Sequence, residues 1–197
     1  DVENSGLGFV VPFDRRILMD VQVPKGEAKG ARRGDMVTVE ITRWPTSTRS
    51  ALGRVVEVIG DLDAPGVDTT VIIRKYNLPD AHTDEAIAEA KRLGSAVKER
   101  DIQQRTDFRR WMTVTIDGEN ARDFDDAVYC ERKGRGYRLL VAIADVSHYV
   151  RDGDPLDRDA RERGTSVYFP RRVIPMLPEA LSNEPCSLKP EVDRLCM

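Results

Sequence analysis

The chain has 197 residues, of which 40% are hydrophobic and 33% charged, and a formal net charge of −3 at pH 7. This composition supplies a core for one large domain or two small ones and excludes a disordered tail. No stretch approaches the roughly 20 consecutive apolar residues of a membrane helix, and no signal-peptide pattern is present. We therefore expect a soluble, cytoplasmic protein with no membrane contact. The net charge neither indicates nor excludes a nucleic-acid partner.

The three cysteines, Cys130, Cys186 and Cys196, are odd in number and form no C-x-x-C pair. This pattern argues against a disulfide framework and a thiolate zinc site, so we expect buried, reduced thiols. The sequence begins at Asp1 without an initiating Met and stops inside an apolar segment at Met197. We expect a fragment of a longer protein.

In residues 1–79, alternating apolar and polar residues separated by Gly, Pro and Asp turns predict strands, with no helical period among them. The predicted strands are residues 8–11, 17–23, 36–42, 51–59 and 67–73, the first two forming a hairpin. Five short strands of this kind favour a small oligonucleotide-binding (OB-type) β-barrel over a sandwich.

Barrels of this type bind single strands through exposed aromatic and basic residues on a strand face. Arg43 and Trp44 are the best candidates, because Pro45 breaks the strand and turns them towards a loop. The alternative for each aromatic residue is packing in the barrel core or at its rim. The full candidate set is Phe9, Phe13, Arg15, Arg16, Arg43, Trp44 and Arg49.

Residues 80–110 predict a helical connector that starts near Thr83 with acidic residues in its first turn. Arg105, Arg109 and Arg110 at its end are candidates for phosphate contacts, with a solvated surface as the alternative.

The second region, residues 111–197, predicts a hairpin of residues 127–131 and 137–144. The second arm is almost continuously apolar, which predicts a buried central strand. Polar residues begin abruptly at its end with Asp145 and His148, where Asp145 either orients a neighbouring group or caps the next turn. A charged helix follows over residues 155–163 and ends at Gly164, and residues 165–170 are extended.

Four carboxylates lie within ten residues: Asp117, Asp123, Asp125 and Asp126. Two unit charges about 4 Å apart repel by roughly 4 kcal/mol near a protein surface, so a bound divalent metal is the most direct compensation. Carboxylate oxygens suit Mg²⁺, as one ion or two. The alternative is solvation, or pairing with Arg122. A strand cannot point all four the same way, so we expect a loop that turns at Gly118.

Five segments occur in the order found in the ribonuclease II superfamily, which this chain resembles over nearly its whole length. They are D-G-E-N-A-R-D-F-D-D-A (117–127), V-A-I-A-D-V-S-H-Y-V (141–150), R-G-T-S-V-Y-F-P (163–170), I-P-M-L-P (174–178) and C-S-L-K-P (186–190). The resemblance implies an α+β architecture: a five-stranded cold-shock barrel at 1–79, a connector at 80–110, and the N-terminal part of a mixed α/β RNB catalytic domain at 111–197.

The resemblance also implies a processive 3′→5′ exoribonuclease that hydrolyses single-stranded RNA with Mg²⁺ and releases nucleoside 5′-monophosphates. Asp117 and Asp126 then correspond to the principal metal ligands, and Asp125 to the residue whose loss damages chemistry most. Tyr168 corresponds to the aromatic that stacks on RNA near its 3′ end; the alternative is packing beside Phe169. The full-length protein is expected to be monomeric.

The family's downstream catalytic residues, its C-terminal S1 domain and its first cold-shock domain are not in the sequence, so we expect the fragment alone to be inactive. His148, Arg171 and Arg172 are weaker candidates for phosphate contacts, and His82 has no predicted role. Two alternatives remain: a single-stranded RNA-binding module with a structural acidic cluster, and a cation-binding scaffold with no role in RNA.

Overall fold

The computed structural model describes residues 7–119 and 121–197, and the chain divides into two compact units, Asp1–Leu78 and Pro79–Met197. The first unit is mainly β-sheet, and the second combines helices with short sheets. The predicted α+β class is therefore confirmed. Among the described residues, no helix is both long enough and apolar enough to cross a membrane.

A four-stranded sheet forms the frame of the first unit. Its strands are β1 (Gly8–Val10), β2 (Val21–Val23), β3 (Asp35–Arg43) and β4 (Ala51–Asp61), in the spatial order β1-β2-β4-β3. β1 and β2 pair antiparallel, which confirms the predicted hairpin. β3 and β4 pair antiparallel through several register shifts, while β2 and β4 run parallel. These shifts twist and bend the long pair, as expected of a sheet that curls towards a barrel.

β3 and β4 approach each other closely at Gly53. A Cβ at this position would lie 2.4 Å from Cγ1 of Val39 and 2.9 Å from the carbonyl oxygen of Glu40. The backbone oxygen cannot rotate away as a flexible side chain can, so a side chain does not fit here without a shift of the sheet. The absence of a Cβ at Gly53 therefore permits the close approach of the two strands.

The predicted fifth strand, residues 67–73, is wrong, because this segment lies in helix α1 (Val67–Lys75). Val67 and Val71 are buried one helical turn apart, and the helix contacts β3 and β4. The β-branched residues of the segment favour a strand locally, but burial along one helical face outweighs that modest preference. The described part of the first unit consequently has four strands and does not close into the predicted five-stranded barrel.

A helical core organises the second unit. Its elements are α2 (Asp84–Leu93), α3 (Glu99–Ile102), β5 (Asp126–Lys133), β6 (Gly136–Ile143), α4 (Val146–Tyr149), α5 (Pro155–Arg163), β7 (Val167–Phe169), β8 (Arg172–Ile174) and α6 (Glu179–Ser182). Buried residues of α2, α4, α5 and α6 pack into one cluster with Leu177, Cys186 and Leu195. The helix α2, interpreted from sequence as part of a connector, is thus integral to the core of this unit.

Polar caps define the two longest helices of the second unit. Thr83 accepts a hydrogen bond from the backbone N–H of Ala86 at the start of α2, and Asp154 does the same for Asp157 at the start of α5. Gly164 follows α5 with φ 72°, and its N–H donates to the carbonyl of Ala160. The predicted helix starting near Thr83 and the predicted helix ending at Gly164 are both confirmed.

The predicted hairpin of β5 and β6 is confirmed, but the prediction that its second arm is buried is wrong. Ala127 and Ala142, which pair across the hairpin, are each 7% exposed, whereas Leu139 is 65% and Val141 48% exposed. Small side chains face the core, and the larger apolar ones point to the face that no described residue covers. The continuous apolar sequence of β6 is therefore buried on one face of the strand only.

The second edge of β6 is also paired, so the strand is central in hydrogen bonding. The backbone N–H of Ile143 donates to the carbonyl of Met197, and the N–H of Met197 donates back, both at 2.9 Å. Cys130 lies on β5 opposite the exposed Leu139 and is itself exposed. The prediction of buried thiols is thus confirmed for Cys186 and wrong for Cys130, which faces the open side of the hairpin.

Candidate active site

The four acidic residues lie at the entry to β5. Asp117 lies in residues 115–119, and Asp123 and Asp125 lie in residues 121–125, two stretches without helix or strand. Asp126 is the first residue of the strand. The predicted loop is therefore confirmed. Successive side chains of a strand point to opposite faces, and an irregular loop is free of that constraint. Asn120, within the loop, lies outside the described residues.

Gly118 takes part in a turn, since its carbonyl accepts a hydrogen bond of 2.9 Å from the N–H of Ala121. Its φ lies outside the left-handed region, and a Cβ added there would meet nothing within 4 Å. The turn forms as predicted, but its backbone does not require glycine at this position.

The acidic residues form one electrostatic cluster around Asp125. Desolvation raises the pKa of the Asp125 carboxyl, and the negative charges of Asp123, Asp117 and Asp126 raise it further. Like charges disfavour one another's ionisation, so this effect shows that the folded loop brings all four carboxylates within electrostatic reach. Asp125 as a whole residue remains exposed, which leaves it accessible to a ligand.

The cluster has the chemistry of a divalent-cation site but not the spacing of one. Within residues 7–119 and 121–197, no three His, Cys, Asp or Glu side chains are arranged so that they can hold a metal ion. The donor set is nonetheless entirely carboxylate, the ligand type that hard cations such as Mg²⁺ prefer. A cation also offsets the repulsion that raises the pKa of Asp125.

Ser187 fastens the acidic loop from behind. The residue is 0% exposed, and its Oγ accepts a hydrogen bond from the N–H of Phe124 at 2.9 Å while donating to the carbonyl oxygen of Arg122 at 3.0 Å. The two bonds hold the neighbours of Asp123 on either side. Ser187 was not among the predicted site residues, and its only sequence signal is its place in the C-S-L-K-P segment.

Two backbone hydrogen bonds extend this attachment towards β5. The N–H of Leu188 donates to the carbonyl of Phe124, and the N–H of Ala144 donates to the carbonyl of Asp125, both at 2.8 Å. The loop is therefore bonded on one side to residues that follow α6 and on the other to the end of β6. Partners separated by about 20 to 65 positions, as these are, cannot be inferred from local sequence pattern.

The core of the second unit contains two titratable groups, Cys186 and Tyr149. Burial raises the pKa of the Cys186 thiol to about 12, with the charges of Asp125 and Asp145 adding to the effect. Burial likewise raises the pKa of Tyr149 to about 12. Both groups are thus neutral at physiological pH, and they serve as packing in the core.

Two family models match the chain: a cold-shock domain over residues 9–82 and an RNB domain over residues 105–197. Ribonuclease R of Escherichia coli (strain K12) is 53% identical over 194 residues, which cover 98% of this chain and 24% of that protein. The chain is therefore similar to ribonuclease R along nearly its whole length, and its C-terminal part is similar to an RNB domain. It spans about a quarter of the length of the curated relatives it matches.

Solved structures of a ribonuclease R share this fold. Mycoplasma genitalium RNase R in complex with double-stranded RNA matches with a TM-score of 0.84 and 28% identity, over 92% of this chain and 32% of that one. The same protein in complex with ribose-methylated single-stranded RNA matches with a TM-score of 0.84 and 26% identity, over 96% of this chain and 32% of that one.

The RNB segment presents Tyr168 on its surface. This residue lies on β7 opposite Val173 of β8, and 69% of it is exposed. The side chain is thus available to a ligand, whereas the neighbouring Phe169 is half-buried. Arg172, on the adjoining strand, forms an ion pair of 3.1 Å with Asp80.

The cold-shock segment contains an open apolar groove of about 640 Å³, and three of the predicted RNA-binding residues line it. These are the half-buried Phe9, Phe13, which is 55% exposed, and Trp44, which is 74% exposed. Lys75 lies 5.7 Å from the centre of the Phe13 ring, which adds positive charge beside this aromatic face. Arg15 and Arg43 are also exposed.

Two further predictions in the RNB segment concern Arg105 and Arg109, and both residues are engaged within the protein. Arg105 bonds to Asp145 and to the carbonyl of Cys196. Arg109 pairs with Asp107 and Asp193. Asp145 has both roles considered for it, because it caps α4 through the N–H of His148 and also binds Arg105.

Both histidines, His82 and His148, lie in the second unit and contact carboxylates of that unit. Nε2 of His148 lies 3.6 Å from Oδ2 of Asp101, and its ring contacts Tyr149 edge to face. His82, which had no predicted role, has Nδ1 2.6 Å from Oδ2 of Asp159. Sequence reasoning missed this contact because the partners are 77 residues apart.

Proposed function

We propose that the full-length protein containing this chain is a processive 3′→5′ exoribonuclease that hydrolyses single-stranded RNA and releases nucleoside 5′-monophosphates. The observation that carries the proposal is the electrostatic cluster of four aspartates around Asp125, within residues that match an RNB domain. Relatives named ribonuclease R support it. In this proposal residues 1–79 bind RNA, residues 80–110 join the two parts, and residues 111–197 supply the acidic end of the catalytic site.

Asp117, Asp123, Asp125 and Asp126 are the residues that would hold Mg²⁺. The ion, when bound, would neutralise charge on the scissile phosphate and make water a better nucleophile. The fit rests on the all-carboxylate donor set and on the coupling of its charges. By resemblance to the family, Asp117 and Asp126 are the principal ligands, and Asp125 is the residue whose loss is most damaging.

The chain's own contribution to chemistry is to position the substrate and the acidic residues. Phosphoryl transfer requires little covalent chemistry from the protein, so placing the scissile phosphate against the acidic loop accounts for much of the catalysis. The hydrogen bonds from Ser187, Leu188 and Ala144 to the loop supply rigidity at that point.

The proposed RNA contacts are of two kinds. Tyr168, Phe13 and Trp44 stack on bases, which is sequence-tolerant because every base has an aromatic face. Arg15 and Arg43 contact phosphates, and these contacts weaken as salt rises. The large exposed fractions of the three aromatic residues support this assignment.

The test is Asp125→Asn in the full-length protein, assayed on a 3′-tailed single-stranded RNA with Mg²⁺. We expect kcat to fall by at least about 100-fold, the scale seen when one group that stabilises transition-state charge is removed. RNA affinity should be retained, because the substitution touches no proposed RNA contact. Asp152→Asn is the matched control, since the Asp152 side chain is 93% exposed and lies outside the acidic loop.

Hydrolysis at the wild-type rate in Asp125→Asn would overturn the enzyme proposal. The alternative would then be a single-stranded RNA-binding module with a structural acidic loop. This alternative is favoured by the observation that the described residues contain no group of side chains with the spacing of metal ligands. RNA titration at two salt concentrations separates that module from a cation-binding scaffold, because only the module binds RNA with salt-sensitive affinity.

A further inference from the structure

The side chain of Ser187 contacts the acidic loop rather than residues close to it in the sequence. It is fully buried, and its single oxygen is both the acceptor for the N–H of Phe124 and the donor to the carbonyl of Arg122. Both bonds are made to the acidic loop, and neither is made to a group in the turn that contains Ser187. The hydroxyl therefore links two segments that are more than 60 residues apart.

We propose that Ser187 is a positioning residue for the catalytic site: it fixes the backbone on both sides of Asp123, in the loop whose carboxylates would bind the cation. The inference rests on the proposed function. It assigns to a residue outside the acidic motif the task of keeping the motif in its working conformation.

The geometry ties down the backbone on both sides of Asp123. Arg122 and Phe124, its two neighbours, bond to the same Ser187 oxygen. The carbonyl of Phe124 is then held by Leu188, the residue after Ser187. The backbone has little freedom to rotate between these points, so the direction in which the Asp123 side chain leaves the chain is set by Ser187.

The loop needs such an attachment because its own charges oppose compaction. Asp123, Asp125 and Asp126 lie within four consecutive residues, and carboxylates that lie this close repel one another. Alanine at position 187 would remove both side-chain hydrogen bonds, so the N–H of Phe124 and the carbonyl of Arg122 would lose their partner in the core. The loop would then relax towards solvent, and the carboxylates would separate.

The experiment compares Ser187→Ala with the wild type and with Ser187→Thr in the 197-residue chain, with Mg²⁺ titrated by isothermal calorimetry. We expect Ser187→Ala to weaken Mg²⁺ binding about 10–100-fold, the effect typical of partners that orient metal ligands. Ser187→Thr keeps the hydroxyl and should recover a large part of the affinity.

Ser166→Ala is the matched control. Ser166 also accepts a hydrogen bond from a backbone N–H, that of Met176 at 3.0 Å, but it has no bond to the acidic loop. Loss of this hydrogen bond should lower the free energy of unfolding without changing the affinity for Mg²⁺. Equal Mg²⁺ affinity in Ser187→Ala and the wild type would overturn the inference, and so would equal weakening in Ser166→Ala.

A second measurement does not depend on metal. Order parameters from ¹⁵N relaxation should fall at the amides of Asp123 and Asp125 in metal-free Ser187→Ala and stay unchanged in Ser166→Ala. If the wild-type chain binds no Mg²⁺, the metal assignment of the proposed function fails, and these order parameters decide the positioning role. Unchanged values at both aspartates would overturn it.

In the full-length protein the same substitution separates positioning from general damage. Ser187→Ala should lower kcat with little change in KM for RNA, because the proposed RNA contacts lie on other residues. A rise in KM with unchanged kcat would contradict the positioning role.

Discussion

Arg105 and Asp145 form an ion pair in which Nη2 of the guanidinium lies 2.5 Å from Oδ2 of the carboxylate. Asp145 is 6% exposed, and its other oxygen accepts hydrogen bonds from the hydroxyl of Ser147 and the N–H of His148. Arg105 also donates to the carbonyl of Cys196. The pair thus joins the segment after α3 to the end of β6 and to the residues that pair with that strand.

Arg105→Met should lower the free energy of unfolding by about 2–3 kcal/mol, because it leaves the buried carboxylate of Asp145 without its cationic partner. Urea denaturation followed by circular dichroism measures the change. Arg92→Ala is the control: Arg92 forms a surface pair with Glu89, and its loss should cost about 0–1 kcal/mol. Equal losses in the two variants would contradict the role of the Arg105 pair.

The same pair predicts a dependence of stability on pH. Burial raises the pKa of Asp145, but hydrogen bonds from Arg105 and Ser147 and the charge of Arg105 outweigh it, so the pKa is lowered overall. The unfolded state therefore binds a proton more readily than the folded state. The stabilisation is present above the unfolded-state value of about 3.9 and is lost as pH falls through the folded pKa.

Urea denaturation at pH 7, 5, 4 and 3 tests this dependence in the wild type and in Arg105→Met. The wild type should lose more stability than the variant between pH 5 and pH 3, since the variant lacks the guanidinium that lowers the pKa of Asp145. Parallel curves for the two proteins would show that the Asp145 carboxyl does not contribute to the acid sensitivity.

Asp159→Ala should destabilise the second unit by about 3–4 kcal/mol, because it leaves a buried charge uncompensated. Asp159 and Arg163 are almost fully buried, and the carboxylate also contacts Nδ1 of His82 and the N–H of Thr83. This cluster fastens the segment before α2 to α5. Thermal unfolding measures the loss, and Asp152→Ala, at a side chain that is 93% exposed, should change the stability by no more than about 1 kcal/mol.

Gly53→Ala should destabilise the first unit by about 1–3 kcal/mol, because its Cβ would overlap Val39 and approach the carbonyl of Glu40. Gly118→Ala is the contrasting substitution, since a Cβ there meets nothing within 4 Å. It should leave stability within about 0.5 kcal/mol of the wild type. Chemical denaturation of both variants measures the difference, and a neutral Gly53→Ala would mean that the two strands can separate without cost.

Tyr168→Ala should weaken binding of single-stranded RNA by about 1–3 kcal/mol, the range for one base stacked on an aromatic ring. Tyr137→Ala is the matched control, because Tyr137 is 75% exposed in the same unit and is not a proposed contact. Fluorescence anisotropy with a labelled oligonucleotide gives both affinities. Equal weakening in the two variants would assign the effect to general loss of aromatic surface rather than to stacking on Tyr168.

Local signals were sufficient for several elements. Thr83 and Gly164 marked the ends of helices through capping preferences that act within a few residues. The hairpin of β5 and β6 followed from two apolar runs around a polar turn. In each case the interactions that form the element lie close together in the sequence, so the pattern alone carries the information.

Packing decided the cases where local preference was ambiguous. Residues 67–73 are rich in β-branched side chains, yet they form α1 because Val67 and Val71 are buried on one helical face. The run along β6 is apolar enough for a buried strand, yet Leu139 faces the open side. Which face of an element is covered depends on residues distant in the chain, and composition does not encode it locally.

In the acidic loop, too, some features follow from the local sequence and others depend on tertiary contacts. The sequence by itself determined that Asp117, Asp123, Asp125 and Asp126 are too close to be independent, because charge repulsion depends only on proximity along a short segment. Only the tertiary structure decided what holds them: Ser187 reaches the loop across more than 60 residues, and the folded core buries its hydroxyl. A hydrogen bond between distant segments exists only once the chain has folded, so local sequence pattern does not reveal it.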